Sequence, residues 1–262
     1  MELADLKKLE KKGFYFVEPT SKYEIARMKG PCTIILYTTS KLNIQGKEEA
    51  VNIVKKELGM KVEEKQTLLS EVIVGSDETM KGDTFGGLVV AGFRANNEER
   101  AKLQDLNVQD SKNLDDGQIL FIARNLRKEF PKNYFITELF PDEYNERIKI
   151  ENSTVILNDL HRQVYEALKT KETIHVVDKY PGCKVGDVME EKAESKYLEV
   201  AAASIIAREV AIKQFNELSA RAGFIVPKGS THVSFGLKKL KEKRLKPEEF
   251  VKMNFSNVKN AL

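Results

Sequence analysis

Residues 200–207 read VAAASIIA, inside a helical pattern that spans about 196–222. Small and branched apolar residues packed together in this way suit a helix buried against a sheet. The chain must therefore supply strands, and several runs qualify: 71–77, 86–93, NYFITELF at 133–140 and TIHVVD at 173–178. Helical patterns fall between them. One, GQILFIARNLRKEF, follows Asp115 and Asp116, either of which suits an N-cap, and others occupy about 141–150 and 153–169. Strands interleaved with helices predict an α/β domain with a mixed sheet. Its C-terminal region reads as mostly helical.

The first 60 residues have a different rhythm. Leu3, Leu6 and Leu9 have helical spacing, and four short strand-like runs follow at 14–18, 23–28, 32–39 and 41–45. A second helical pattern, KEEAVNIVKKELG, stops at Gly59. The polar stretch after it predicts a boundary: a small α+β domain over 1–60, a linker over 61–70 and a larger domain over 71–262. With 41% hydrophobic and 32% charged residues among 262, the chain reads as folded, not disordered. Two cysteines without CxxC spacing, Cys32 and Cys183, argue against a disulfide framework or a zinc site and suit a reducing, cytoplasmic setting. The opening MELADLKKLEKKGF has no apolar signal region, and no run of about 18 apolar residues exists, so no membrane partner is expected.

Four acids fall at predicted element ends. Asp77 and Glu78 close the strand in VIVGSDET, Asp178 closes TIHVVD, and Glu194 precedes the long helix in EEKAESKYLEV. Strand ends are where α/β folds build sites, and clustered oxygen ligands suit Mg²⁺ or Mn²⁺ better than zinc. Carboxylates around two metal ions are an apparatus for phosphodiester hydrolysis. Taken singly, each acid also fits a turn, a cap or a solvated face.

Other features point the same way. The turn MKGD (80–83) can offer backbone N–H groups and Lys81 to a phosphate or a sugar hydroxyl, although a plain hairpin loop fits equally. DSKNL (110–114) can cap a helix or bind phosphate through Ser111 and Lys112. The net charge is only +3, but residues 221–259 hold ten Lys or Arg against three acids and include PKGST with Lys228. A basic face beside an acidic metal site is what a nuclease needs; a solvated lysine-rich helix is the alternative. The three histidines show no metal-binding spacing, and His161 is expected on a helix surface.

Taken in order, the motifs resemble the type 2 ribonucleases H, and among them ribonuclease HIII. Gly75-Ser76-Asp77-Glu78 matches the family's G-x-D-E, and Asp110 to Leu114 its D-S-K-x-L. Asp178 matches its third acid, and Glu194 with VAAASIIAR its fourth, where ribonuclease HII carries Asp. TTSKLNIQGKE is similar to part of the TBP-like domain that precedes the catalytic domain in ribonuclease HIII. The resemblance covers nearly the whole chain. It implies a ribonuclease H-like mixed sheet with flanking helices behind a TBP-like domain. It further implies endonucleolytic cutting of the RNA strand of RNA/DNA hybrids, with Mg²⁺ or Mn²⁺ held by Asp77, Glu78, Asp178 and Glu194. Nucleic acid would meet Met80, Lys81, Gly82, Ser111, Lys112 and Lys228, and in the first domain Tyr37, Lys41, Gln45 and Lys47. A monomer is expected. A hybrid-binding protein without activity and a metal-dependent DNA nuclease of related fold are the alternatives. One position departs from the family: Met80 replaces the first glycine of its turn, which contacts the RNA 2′-hydroxyls, and a side chain there is strained if the backbone needs positive φ.

Overall fold

The computed structural model describes residues 3–46, 48–60 and 72–261. Lys47 and the expected linker lie outside them. The chain forms two compact units, Met1–Lys65 and Gln66–Leu262.

The first unit begins with α1 (Leu3–Leu6), which tightens into a 3-10 helix over Lys7–Lys12. Strands β1 (Tyr15–Val17), β2 (Glu24–Lys29), β3 (Cys32–Tyr37) and β4 (Leu42–Gly46) form an antiparallel sheet in chain order, and α2 (Glu48–Glu57) follows. Alternation along the strands separates two faces. Ala26, Met28, Ile34 and Leu36 join Leu6, Leu9, Phe14 and Val54 in the core. Tyr37 and Gln45 alternate with core-facing neighbours and so fall on the other face.

The second unit is built on a five-stranded sheet of β5 (Val72–Thr79), β6 (Leu88–Ala95), β7 (Tyr134–Leu139), β8 (Thr173–Asp178) and β9 (Val188–Glu190). The order is β7-β6-β5-β8-β9; β5, β8 and β9 run parallel, while β6 is antiparallel to both β5 and β7. Helices α3 (Asn97–Asp105), α4 (Asp116–Glu129), α5 (Pro141–Ile148), α6 (Ser153–Leu168), α7 (Leu198–Ala222), α8 (Val233–Glu242) and α9 (Ser256–Lys259) complete it. The expected mixed sheet and long helix are present. Residues 173–178 form a strand at the predicted bounds, and Asp115 caps α4 through a capping box with Gln118. The three-residue β9 was not anticipated.

Period-two burial explains why helices cover both sheet faces. Val89, Ala91 and Phe93 pack with α4 and the apolar stretch of α7, whereas Leu88 and Val90 pack with Ile156, Leu160 and Val164 of α6. Strand β5 lies so close to α7 that a Cβ on Gly75 would stand 2.3 Å from the Val200 backbone nitrogen. Glycine is the residue that permits this approach. It draws the end of β5 up to the start of α7.

Candidate active site

The parallel neighbours β5 and β8 both end at the same edge of the sheet, where Ser76 registers with Val177. That register puts Asp77 and Asp178, one residue further on, side by side. The 3-10 turn Ala193–Ser195, just before α7, brings Glu194 to them. Successive side chains on a strand face opposite ways. Asp77 accordingly meets Ser204 of α7, and Glu78 meets His161 of α6.

Each carboxylate has distinct surroundings. Asp77 is buried, and its Oδ1 accepts the Glu78 N–H at 2.8 Å. Burial first, and then the charges of Glu78 and Asp178, push its carboxyl well above the usual aspartate range. Asp178 accepts the Ala193 N–H at 2.9 Å. Burial, with Glu194 and Glu78 nearby, raises it to about 6. Burial also works against the Glu78 charge, but His161 and Lys81 outweigh it and hold that carboxyl low. Its Oε1 pairs with Lys81 Nζ at 2.6 Å and its Oε2 with His161 Nε2 at 3.3 Å. Glu194 is 4% exposed; its Oε1 takes Lys112 Nζ at 2.5 Å, and its Oε2 is buried without a hydrogen-bond partner.

These features fit a divalent cation. A buried carboxylate oxygen without a partner and two carboxyls raised by burial and neighbouring acids are groups that a cation would satisfy. Among the described residues, however, no three His, Cys, Asp or Glu side chains stand together as a ready-made ligand set. Lys81 and Lys112 hold Glu78 and Glu194 in ion pairs instead. A cation entering here would compete with two ammonium groups.

A family model described as Ribonuclease HII matches residues 74–258, which includes all four acids. Ribonuclease HIII of Streptococcus agalactiae serotype Ia is 33% identical over 267 residues, spanning 90% of this chain and 86% of its own. The chain belongs to the ribonuclease HIII family. Ribonuclease HIII of Bacillus thuringiensis subsp. konkukian is 37% identical over 213 residues, covering 72% of this chain and 68% of the relative. Among solved structures, Bst-RNase HIII in complex with Mn²⁺ has a TM-score of 0.67 at 26% identity, over 99% of this chain and 94% of that one. Aquifex aeolicus RNase H3 has a TM-score of 0.62 at 28% identity, over 98% of each. As a ribonuclease HIII the protein is a metal-dependent endoribonuclease, and its four-stranded first unit is consistent with that family's TBP-like domain.

The other predicted residues of this ribonuclease HIII divide between the two units. Met80 has φ +64°, so its position does require the left-handed backbone, and the side chain is buried. Lys81 and Gly82 are exposed beside Glu78. Ser111 hydrogen-bonds Ser204 at 2.8 Å, and the Ser111 carbonyl accepts from Arg208. Helix α7 therefore carries the DSKNL loop to the acids. Lys228 pairs with Asp116 at 2.7 Å, at the start of α4. Tyr37, Lys41 and Gln45 lie in the first unit, where the Tyr37 N–H donates to the Lys41 carbonyl at 2.9 Å.

The expectation that His161 lies on a helix surface is wrong. It is fully buried, on the sheet-facing side of α6. Ser76 Oγ sits between His161 Nδ1 at 2.7 Å and His175 Nε2 at 2.8 Å. The result is a buried chain Glu78–His161–Ser76–His175. Burial lowers His175 to about 3, so that ring is neutral near pH 7. The helical spacing of His161 with Leu157 and Val164 was the available signal, because those positions share its face. Ser204 and Arg208 were also missed as supports, since they read as part of a packing helix.

Proposed function

We propose that the protein cuts the RNA strand of RNA/DNA hybrids endonucleolytically with two divalent ions, leaving 5′-phosphate and 3′-hydroxyl ends. The observation that carries this reading is the gathering of four carboxylates at one edge of the sheet, with Asp77 and Asp178 held toward protonation by burial and by neighbouring carboxylates. Asp77, Glu78, Asp178 and Glu194 would hold Mg²⁺ or Mn²⁺. When bound, such ions activate water and neutralise charge at the scissile phosphate.

The chain's own groups do the rest. Lys112 and Lys81, which pair with Glu194 and Glu78, would meet phosphate oxygens. Lys228 would extend that contact, while Ser111, which was expected to meet phosphate, is buried against Ser204 and holds the loop in place. The turn 80–83 meets a 2′-hydroxyl, the group that only the RNA strand carries. Tyr37, Lys41, Gln45 and Lys47 provide hybrid affinity from the first unit.

The test is cleavage of an RNA/DNA hybrid and of the matching duplex DNA, each with Mg²⁺, Mn²⁺ or EDTA. Cleavage confined to the RNA strand, dependent on metal and leaving 3′-hydroxyl ends, is expected. Metal-independent cutting, cutting of duplex DNA, or hybrid binding without cleavage overturns the reading.

A further inference from the structure

The turn after β5 is clamped by a residue from the far end of the chain. Lys252 has no exposed surface, and its Nζ donates to the Met80 carbonyl at 2.8 Å and to the Asp83 carbonyl at 2.6 Å. The rings of Tyr144 and Phe255 lie 5.5 and 5.4 Å from the same ammonium. The surrounding backbone is stitched to the turn as well. The Lys252 N–H donates to the Thr84 carbonyl at 3.0 Å, Val251 bridges Phe85, and the Gly86 N–H donates to the Phe250 carbonyl at 3.0 Å. An ammonium buried among carbonyls and rings is costly. An apolar side chain filling the space would leave both carbonyls without this donor, so the amine head has a task.

Peptide planarity identifies that task. In a trans peptide the N–H points opposite to the C=O of the same unit. With the Met80 carbonyl drawn in to Lys252, the Lys81 N–H is aimed away from it. The Asp83 N–H donates to the Met80 carbonyl at 3.1 Å, so the Gly82 carbonyl likewise turns away. The exposed tip thus presents one donor and one acceptor, and a ribose hydroxyl both accepts and donates. Met80 carries a left-handed backbone without the freedom of glycine, which raises the need for an external brace.

We propose that Lys252 is a positioning residue for ribose discrimination, holding the 80–83 turn so that the Lys81 N–H and the Gly82 carbonyl meet a 2′-hydroxyl. This rests on the hybrid-cleaving function proposed above. The test is a cycle between Lys252→Met and single 2′-deoxy replacements in the RNA strand of a hybrid. In the wild type, one replacement beside the cut site should lower kcat/KM by about tenfold, the worth of a hydrogen-bonded hydroxyl. In Lys252→Met that replacement should cost less than about twofold, while the all-ribose hybrid is cut about tenfold more slowly. Lys252→Arg, which keeps charge and donors, should retain most of the discrimination. If Lys252→Met does not fold, Lys252→Gln, with a donor for one carbonyl, enters the same cycle and should show reduced discrimination. Equal slowing of the ribose and deoxy substrates, or unchanged discrimination in a folded variant, overturns the inference while the hybrid-cleaving function stands. A wild-type enzyme that cuts hybrids but has no deoxy-sensitive position overturns the inference also; one that cuts no hybrid overturns both.

Discussion

Asp77 is buried with Glu78 and Asp178 close enough to oppose its ionisation, an arrangement that stability alone would not select. Asp77→Asn should therefore have two opposite effects. Cleavage should fall by about a thousandfold or more, the scale of a lost metal contact. In EDTA the variant should nevertheless melt higher than the wild type, because the cost of burying a carboxylate beside other acids has been removed. Single-turnover cleavage and thermal melting check both halves; cleavage within tenfold of the wild type would refute the assignment. Asp178 supplies a pH test. Its folded carboxyl titrates near 6, above an ordinary aspartate near 4. A raised acid favours folding while protonated and loses that contribution as pH rises through the folded value. In EDTA, wild-type stability relative to Asp178→Asn should thus fall between about pH 4 and pH 6 and then level off. Melting temperatures measured across pH 3–8 test this, and a constant gap between the two proteins would contradict it.

At the scale of elements, α6 does more than cover the sheet. Its buried His161 lies between Glu78 and the Ser76–His175 pair, so it fixes the direction of a carboxylate rather than touching substrate. Outer partners of metal ligands commonly matter by about 10–100-fold. His161→Leu should lower kcat by about that factor, raise the Mn²⁺ concentration needed for half-maximal rate and leave KM for hybrid nearly unchanged. His161→Gln, still able to donate to Glu78, should recover part of the rate. Equal effects of the two substitutions would mean that His161 only fills space. The contrast between α6 and β8 shows what a sequence makes legible. A strand ending in an acid, as in TIHVVD, carries its meaning locally, and residues 173–178 form that strand. The same holds for the Asp115 cap and the long apolar helix. The role of His161 depends on contacts with Ser76 and His175, 85 and 14 positions away in a chain whose local pattern shows only a helix face. Strand β9 is too short for a periodic signal, and the bridge of Phe85 to Val251 is set by tertiary contact alone. At position 80, the departure from the family glycine pointed to a positive φ, and the backbone there has φ +64°.

Across the whole molecule, the proposed function assigns chemistry and affinity to different compact units. All four acids lie in residues 66–262, which have their own sheet and a core built around α7. The first 60 residues contain none of them but carry eleven Lys or Arg against eight acids, with Tyr37 and Gln45 on the sheet face turned from their own core. Phosphate contacts made there would add affinity that falls steeply with salt, and each one lost lowers the salt slope by about one. A protein comprising residues 66–262 should fold, because its buried clusters draw on its own strands and helices. It should bind hybrid more weakly than the full chain, with a shallower dependence on salt. Its cleavage rate at saturating hybrid should change much less than its KM, since uniform binding is lost while the reacting groups stay in place. Hybrid titrations at two salt concentrations, followed by saturated rates, separate the outcomes. Unchanged affinity would remove the first unit from substrate binding, and a collapsed saturated rate in a folded fragment would show that the first unit takes part in the chemistry.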